Sequence, residues 1–264
     1  DHIMSEIIQA GGKHITFVVS DENAMRSFKD CFKREKEVEE KFKRTNNILG
    51  LEILQSNYIP EDIELKYIIQ QEPKGLAHAI GTAALQSPNK HLAILLPDDI
   101  IITHDGISIV KKVVDKYITD NIGGNLFLTR QVDDISRWGI IENGIFLEKP
   151  KTSSSREAAN MFFILDQSIG TILANAAIKA DTAGTKEYQQ WERKKELHHS
   201  TYINEAVKQN PNKMKIRTYK VHEKDLFLDC GTLHGYEKAL LYALLTTSIH
   251  KKENRAFLRE HFTT

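Results

Sequence analysis

Asp98 and Asp99 directly follow an apolar run that ends in Leu96-Pro97. Ligands of open α/β sheets bind outside the carboxyl ends of strands, so an acid placed there can hold a metal ion. Hard cations such as magnesium take carboxylate oxygens and share them with substrate phosphates. A helix N-cap or turn acid explains Asp98 equally well. Asp229 repeats the arrangement after Leu226-Phe227-Leu228, with Cys230-Gly231 behind it and a simple turn as the competing account. Cys230 lacks a companion base and reads as a small buried residue. Glu148-Lys149-Pro150 closes a further apolar run. Lys149 suits a phosphate as a point charge and Glu148 accepts from sugar hydroxyls, although an exposed turn gives the same pattern. In "QQEPKG", Gly75 permits close approach to a planar ligand, and the Gln70 amide can donate and accept toward a base edge. A plain loop between strand and helix accounts for both.

Those side chains need elements to hold them. The compact β-rich runs His14 to Val19, Ile63 to Ile69, His91 to Leu96 and Asn125 to Arg130 read as strands. Between them lie a sparse, charged helical layer reaching about Ile53, a helix from Leu76 to Leu85 and an amphipathic helix from Gly106 to Ile118. This alternation predicts an α/β fold, Rossmann-like, with a mixed, mostly parallel sheet flanked by helices. From Trp138 the rhythm changes. Asn143-Gly144 between apolar runs predicts a β-hairpin. "AANMFFIL" follows as a strand, then a polar stretch from Lys179 to His199, a helix from Tyr202 to Lys208 and the strand "KIRTYKV". "HGYEKALLYALL" and the charged tail "HKKENRAFLREHF" read as C-terminal helices. One domain is expected over residues 1–246, with a helical tail over 247–264 that packs on something or on a partner subunit.

The 264 residues suffice for one large α/β domain. Lys plus Arg and Asp plus Glu are 36 each, so whole-chain charge gives no case for nucleic acid or an anionic membrane. Two distant cysteines, Cys31 and Cys230, point to a reducing, cytoplasmic setting. No apolar run is long enough to span a bilayer. The chain opens inside a helix that stops at Gly11-Gly12, with no initiator Met, and reads as a longer chain shown without its first segment.

Taken in order, Q-x-x-P-x-G-L-x-H-A, L-P-D-D, W-G-I-I, E-K-P and D-C-G-x-x-x-G-Y resemble the sugar-phosphate nucleotidyltransferases. Within them the pattern is most similar to the bacterial UTP–glucose-1-phosphate uridylyltransferases, from residue 1 to about Leu245. The resemblance implies uracil-reading roles for Gln70 and Gly75, and magnesium-binding roles for Asp98 and Asp229. It implies hexose contacts at Gly139 and Glu148, and a lysine on the sugar phosphate at Lys149, with Lys149 and Asp98 the catalytic pair. The implied reaction is in-line attack of a sugar-1-phosphate oxygen on the α-phosphorus of UTP, with magnesium as cofactor, in a homo-oligomer (dimer or tetramer). His78 belongs with helix packing.

Three departures from the pattern stand out. The family's Gly-rich loop ending in Thr-Arg, which cradles the triphosphate, is not found in this chain. The family's Ser-Asn-Leu reads Ser155-Arg156-Glu157. A sugar-contacting Glu is replaced by Ser200, and the polar stretch before it is longer than usual. The sugar side is therefore expected to differ more than the uracil side.

Overall fold

The protein is described by a computed structural model over residues 2–56, 58–246, 248 and 250–262. Helix α1 (His2–Gln9) ends at Gly11, whose φ of +81° is the left-handed stop expected of the glycine pair. Strand β1 (His14–Val19) leads to α2 (Glu22–Cys31), α3 (Lys36–Arg44) and α4 (Ile48–Ser56). Asp21 caps α2 by accepting from the Ala24 amide at 2.8 Å. None of these three helices has a buried residue; α2 and α3 are charged, whereas α4 is mostly apolar and leaves Ile48, Leu49 and Ile53 exposed. Strand β2 (Glu64–Ile69) lies parallel to β1 over its whole length.

Next come α5 (Leu76–Leu85), β3 (Leu92–Leu95), β4 (Asp99–Ile102), α6 (Ile109–Thr119) and β5 (Asn125–Gln131). Strands β6 (Gly139–Glu142) and β7 (Ile145–Glu148) form the expected hairpin, with Asn143 and Gly144 at φ +50° and +73°. They are followed by β8 (Glu157–Leu165), α7 (Gln167–Ala180), α8 (Lys186–Lys194), α9 (His199–Gln209), β9 (Ile216–Lys220), β10 (Leu226–Asp229), α10 (Leu233–Thr246) and α11 (Lys251–Phe262).

The main sheet has six strands in the order β7-β6-β8-β5-β9, with β3 also on β8. Alternate residues of β5 face opposite layers. Phe127 joins Ile80, Leu173 and Ile203 of α5, α7 and α9 on one face, whereas Leu126 and Leu128 meet Ile109 and Val113 of α6 on the other. The α/β architecture, with a mixed sheet between helical layers, is the one expected. Its parallel share is smaller. Among the described ladders only β1–β2 and β5–β9 are parallel. The cause is β8, a nine-residue central strand that runs against both β3 and β5.

Three elements escape the sequence reading. Strand β4 is only four residues and opens with a charge. Helix α7 buries Ile169 and Leu173 together with Gly170, Ala174, Ala176, Ala177 and Ala180, a face in which small residues outnumber large ones. Helix α8 lies within the polar stretch, capped by Thr185 accepting from the Tyr188 amide at 3.2 Å. At the C-terminus, α11 is fastened to α10 by Asn254 Nδ2 and Arg255 Nε, which donate to the Leu244 and Leu245 carbonyls at 2.8 and 2.6 Å. Of the tail, residues 247, 249, 263 and 264 lie outside the described residues. Among the described residues no helix is long and apolar enough to cross a membrane.

Candidate active site

Strands β4 and β10 pair antiparallel as a ribbon apart from the main sheet, and the register sets Asp99 opposite Asp229. The far end of the ribbon is closed by Asp225, which accepts from the main-chain nitrogen and Nδ1 of His104 at 2.9 and 2.6 Å. At the acidic end, the Cys230 amide donates to the Asp98 carbonyl at 2.6 Å, and the Gly231 amide donates to Asp229 Oδ1 at 3.0 Å. A Cβ placed on Gly231 would lie 3.2 Å from Asp229 Oδ1 and 3.3 Å from Asp98 Oδ2. The two acids singled out as metal ligands therefore converge on one small space. Asp98 is exposed and Asp229 half-buried, while Asp99 is buried.

Asp99 is the member that sequence reasoning left without a role. Burial pushes its carboxyl up to about 7, Asp98 and Asp229 push it the same way, and Arg130 opposes them. Arg130 ends its stretch of β5 with its guanidinium 3.7 Å from the Phe227 ring centre and 4.4 Å from that of Trp138. Its Nε is buried without a hydrogen-bond partner. Burial lowers the Arg130 pKa, against the pull of Asp99 and Asp229. Arg137 donates to Asp229 Oδ2 at 3.2 Å. Both arginines were missed; the available signal for Arg130 was a cation at the carboxyl end of a central strand.

The hairpin carries the proposed sugar residues together. Gly139 and Glu148 are cross-strand partners, and the Phe146 ring fills the space a Cβ on Gly139 would take. Glu148 Oε2 accepts from Ser200 Oγ at 3.4 Å and lies 4.0 Å from His198 Nδ1. Ser200, at the position where the resemblance expects a Glu, is thus turned onto the Glu148 carboxylate. Lys149 is exposed and held at φ +42° by its amide bond to the Trp138 carbonyl at 3.1 Å. Trp138 in turn touches Phe227 of β10 edge-on at 6.0 Å, which joins hairpin to ribbon. Asn204 locks the outer edge of β7, accepting from the Phe146 amide at 2.9 Å and donating to its carbonyl at 2.7 Å.

Gln70 and Gly75 lie in a second cluster, and among the described residues no bond links either to the carboxylates. Gly75 has a φ of +97°, and a Cβ there would sit 2.8 Å from the Leu197 nitrogen. Around it the Leu197 amide donates to the Lys74 carbonyl (2.8 Å) and the Ala77 amide to the Leu197 carbonyl (3.1 Å). Gly75 therefore lets the segment before α9 clasp the loop before α5. Gln70 Nε2 contacts Nδ1 of buried His78.

The nucleotidyl transferase family profile matches residues 1–244. The chain belongs to the nucleotidyl transferase family. It is 26% identical over 267 residues to UTP–glucose-1-phosphate uridylyltransferase 1 of Staphylococcus saprophyticus, covering 98% of this chain and 85% of that protein. A uridylyltransferase of the same name from Staphylococcus epidermidis is 25% identical over 263 residues, with the same coverage of each chain. Among solved structures, the UTP-bound UGPase of Acinetobacter baumannii superposes with a TM-score of 0.78 at 18% identity, covering 98% of this chain and 87% of that one. A UDP-glucose pyrophosphorylase complexed with UDP-glucose gives a TM-score of 0.67 at 22% identity, covering 98% and 86%. Membership accounts for the layered α/β fold.

Proposed function

We propose that this nucleotidyltransferase transfers a uridylyl group from UTP to glucose-1-phosphate, releasing pyrophosphate. The observation that carries the reading is the convergence of Asp98 and Asp229 over Gly231, with Asp99 across the ladder from Asp229, beside Arg130 and Arg137. The donor set fits a hard divalent cation: the Asp98 and Asp229 carboxylates converge over Gly231, and burial, with these two acids beside it, raises the Asp99 carboxyl. Asp98 and Asp229 would hold magnesium, which when bound supplies positive charge to phosphate oxygens.

The chain's own residues supply positioning and charge. Gln70 and Gly75 form the base-side wall, with Gly139 and Glu148 receiving the hexose. Lys149 neutralises the sugar phosphate, one of whose oxygens attacks the α-phosphorus in line. The new P–O bond forms as the bond to the bridging oxygen breaks, and pyrophosphate leaves with that electron pair. Residues 1–246 are read as the nucleotidyltransferase domain without its first strand and Gly-rich signature loop, and 247–264 as a helical tail.

One observation favours a second reading. Ser200 donates to Glu148, so the sugar carboxylate already has a protein partner, and another hexose-1-phosphate, with UTP or dTTP, is the alternative. A third concerns assembly. Leu233, Tyr236, Leu240, Leu241 and Leu244 are exposed at helical spacing along α10, a face suited to a second copy of the chain in a cytoplasmic homo-oligomer. Magnesium-dependent pyrophosphate release, measured across triphosphates and hexose-1-phosphates, tests the assignment. Release with UTP and glucose-1-phosphate supports it, and release only with another pair overturns it. Light scattering in solution tests the oligomer.

A further inference from the structure

Gln70 does not act alone. Its Nε2 contacts Nδ1 of His78, a ring only 4% exposed, and the ring's Nε2 lies 3.1 Å from Asp181 Oδ1. Lys74, 3% exposed, donates to the same carboxylate oxygen at 2.7 Å and to the Ala180 carbonyl at 2.9 Å. Burial lifts the Asp181 carboxyl, but the bonds from Lys74 and His78 outweigh it and hold it below its ordinary value. An ionised carboxylate only accepts, so His78 Nε2 carries the proton. Gln70 turns its Nε2 to the ring, and an amide NH2 only donates, so Nδ1 accepts. The Gln70 oxygen is left pointing away from His78.

We propose that Asp181 and His78 are positioning residues for base recognition, fixing the Gln70 amide so that its oxygen is the atom offered to the base. The proposal rests on the reading of Gln70 as the base contact. A fixed acceptor favours a pyrimidine whose N3 carries hydrogen, as in uracil and thymine, over cytosine, whose N3 presents a lone pair. Asp181 directly follows α7, within the polar stretch that leads to α9. That stretch is fastened over the loop by Lys74, whose ammonium lies 4.7 Å from the Trp191 ring centre, and by the Leu197 clasp. The polar segment thus reaches the base site through a three-residue relay.

Calorimetric binding of UTP and CTP, with nitrogen NMR of the His78 ring, tests the relay on the chain as it is. Wild type is expected to prefer UTP and to show protonated Nε2 with bare Nδ1. Asp181→Asn keeps the preference, because an amide oxygen still accepts from Lys74 and His78. Asp181→Leu lowers the UTP-to-CTP preference about tenfold and populates Nδ1–H. A wild-type ring protonated at Nδ1 overturns the relay without any variant. So does an undiminished preference in Asp181→Leu when Gln70→Ala abolishes it, and the Gln70 reading then survives. An unchanged preference in Gln70→Ala removes that reading and the relay with it.

Discussion

Asp99 and Asp229 face each other across the antiparallel ladder of β4 and β10, and the Asp98 carboxylate shares the space over Gly231 with that of Asp229. Like charges held this close destabilise the metal-free protein. Asp229→Asn should therefore raise the melting temperature in chelator, on the order of 1 kcal/mol of stability, while abolishing the rise that magnesium gives wild type. Turnover should fall roughly 100-fold or more. Scanning fluorimetry with and without magnesium, paired with pyrophosphate release, checks both. A magnesium shift as large as in wild type would show that these acids do not hold the ion.

Lys149 sits in left-handed backbone, where a side chain carries a strain of roughly 1–2 kcal/mol. Lys149→Gly should keep or raise stability by up to about 1 kcal/mol, since glycine's greater unfolded-state freedom offsets part of the relief. The same change removes the cation from the sugar phosphate, and turnover should drop about 100-fold. Denaturant titration and steady-state kinetics on one preparation separate the two effects. A loss of stability would mean that the lysine side chain, not its phosphate role, explains the residue.

Gly75→Ala places a Cβ against the Leu197 backbone at a φ that alanine avoids. The expected loss is about 2 kcal/mol or more. Because the clasp opens, proteolysis should strike first within residues 182–196. A cleavage pattern matching wild type would show that the clasp tolerates the methyl group.

His199 is stacked on Phe163 at 5.4 Å and edge-on to Phe146 at 5.1 Å. Burial, with His198 beside it, lowers its pKa to about 4. Between pH 6.5 and 4 the unfolded chain therefore binds a proton that the folded chain refuses, and stability falls as pH falls through that window. Up to about 3 kcal/mol is at stake. His199→Phe should flatten this acid limb, measured as unfolding free energy at pH 7, 5.5 and 4. An unchanged slope would assign the acid loss to other groups.

The fold was legible where periodicity was strong. "HLAILL" and "LAHAIGTAAL" mark β3 and α5, and Asn143-Gly144 marks the hairpin, because each signal is local. Helix α7 was passed over because only Ile169 and Leu173 are large among its buried residues, the rest being Gly and Ala. The parallel share of the sheet was overestimated because the direction of β8 depends on its partners, which no local pattern encodes. At the site, Asp98 and Asp229 were visible as acids after strands. Asp99 was not, since its importance lies in a cross-strand register between segments 130 residues apart in sequence. The Asp181 contact with His78 and Lys74 was invisible for the same reason.

The Cys230 amide bond to the Asp98 carbonyl ties the two acid-bearing turns without using either carboxylate. A lineage could therefore exchange those acids and still inherit the scaffold intact. In such an architecture ancestry and present chemistry are separable. A descendant stripped of its acids would persist as a folded protein, and only the side chains at 98, 99 and 229 would record the difference.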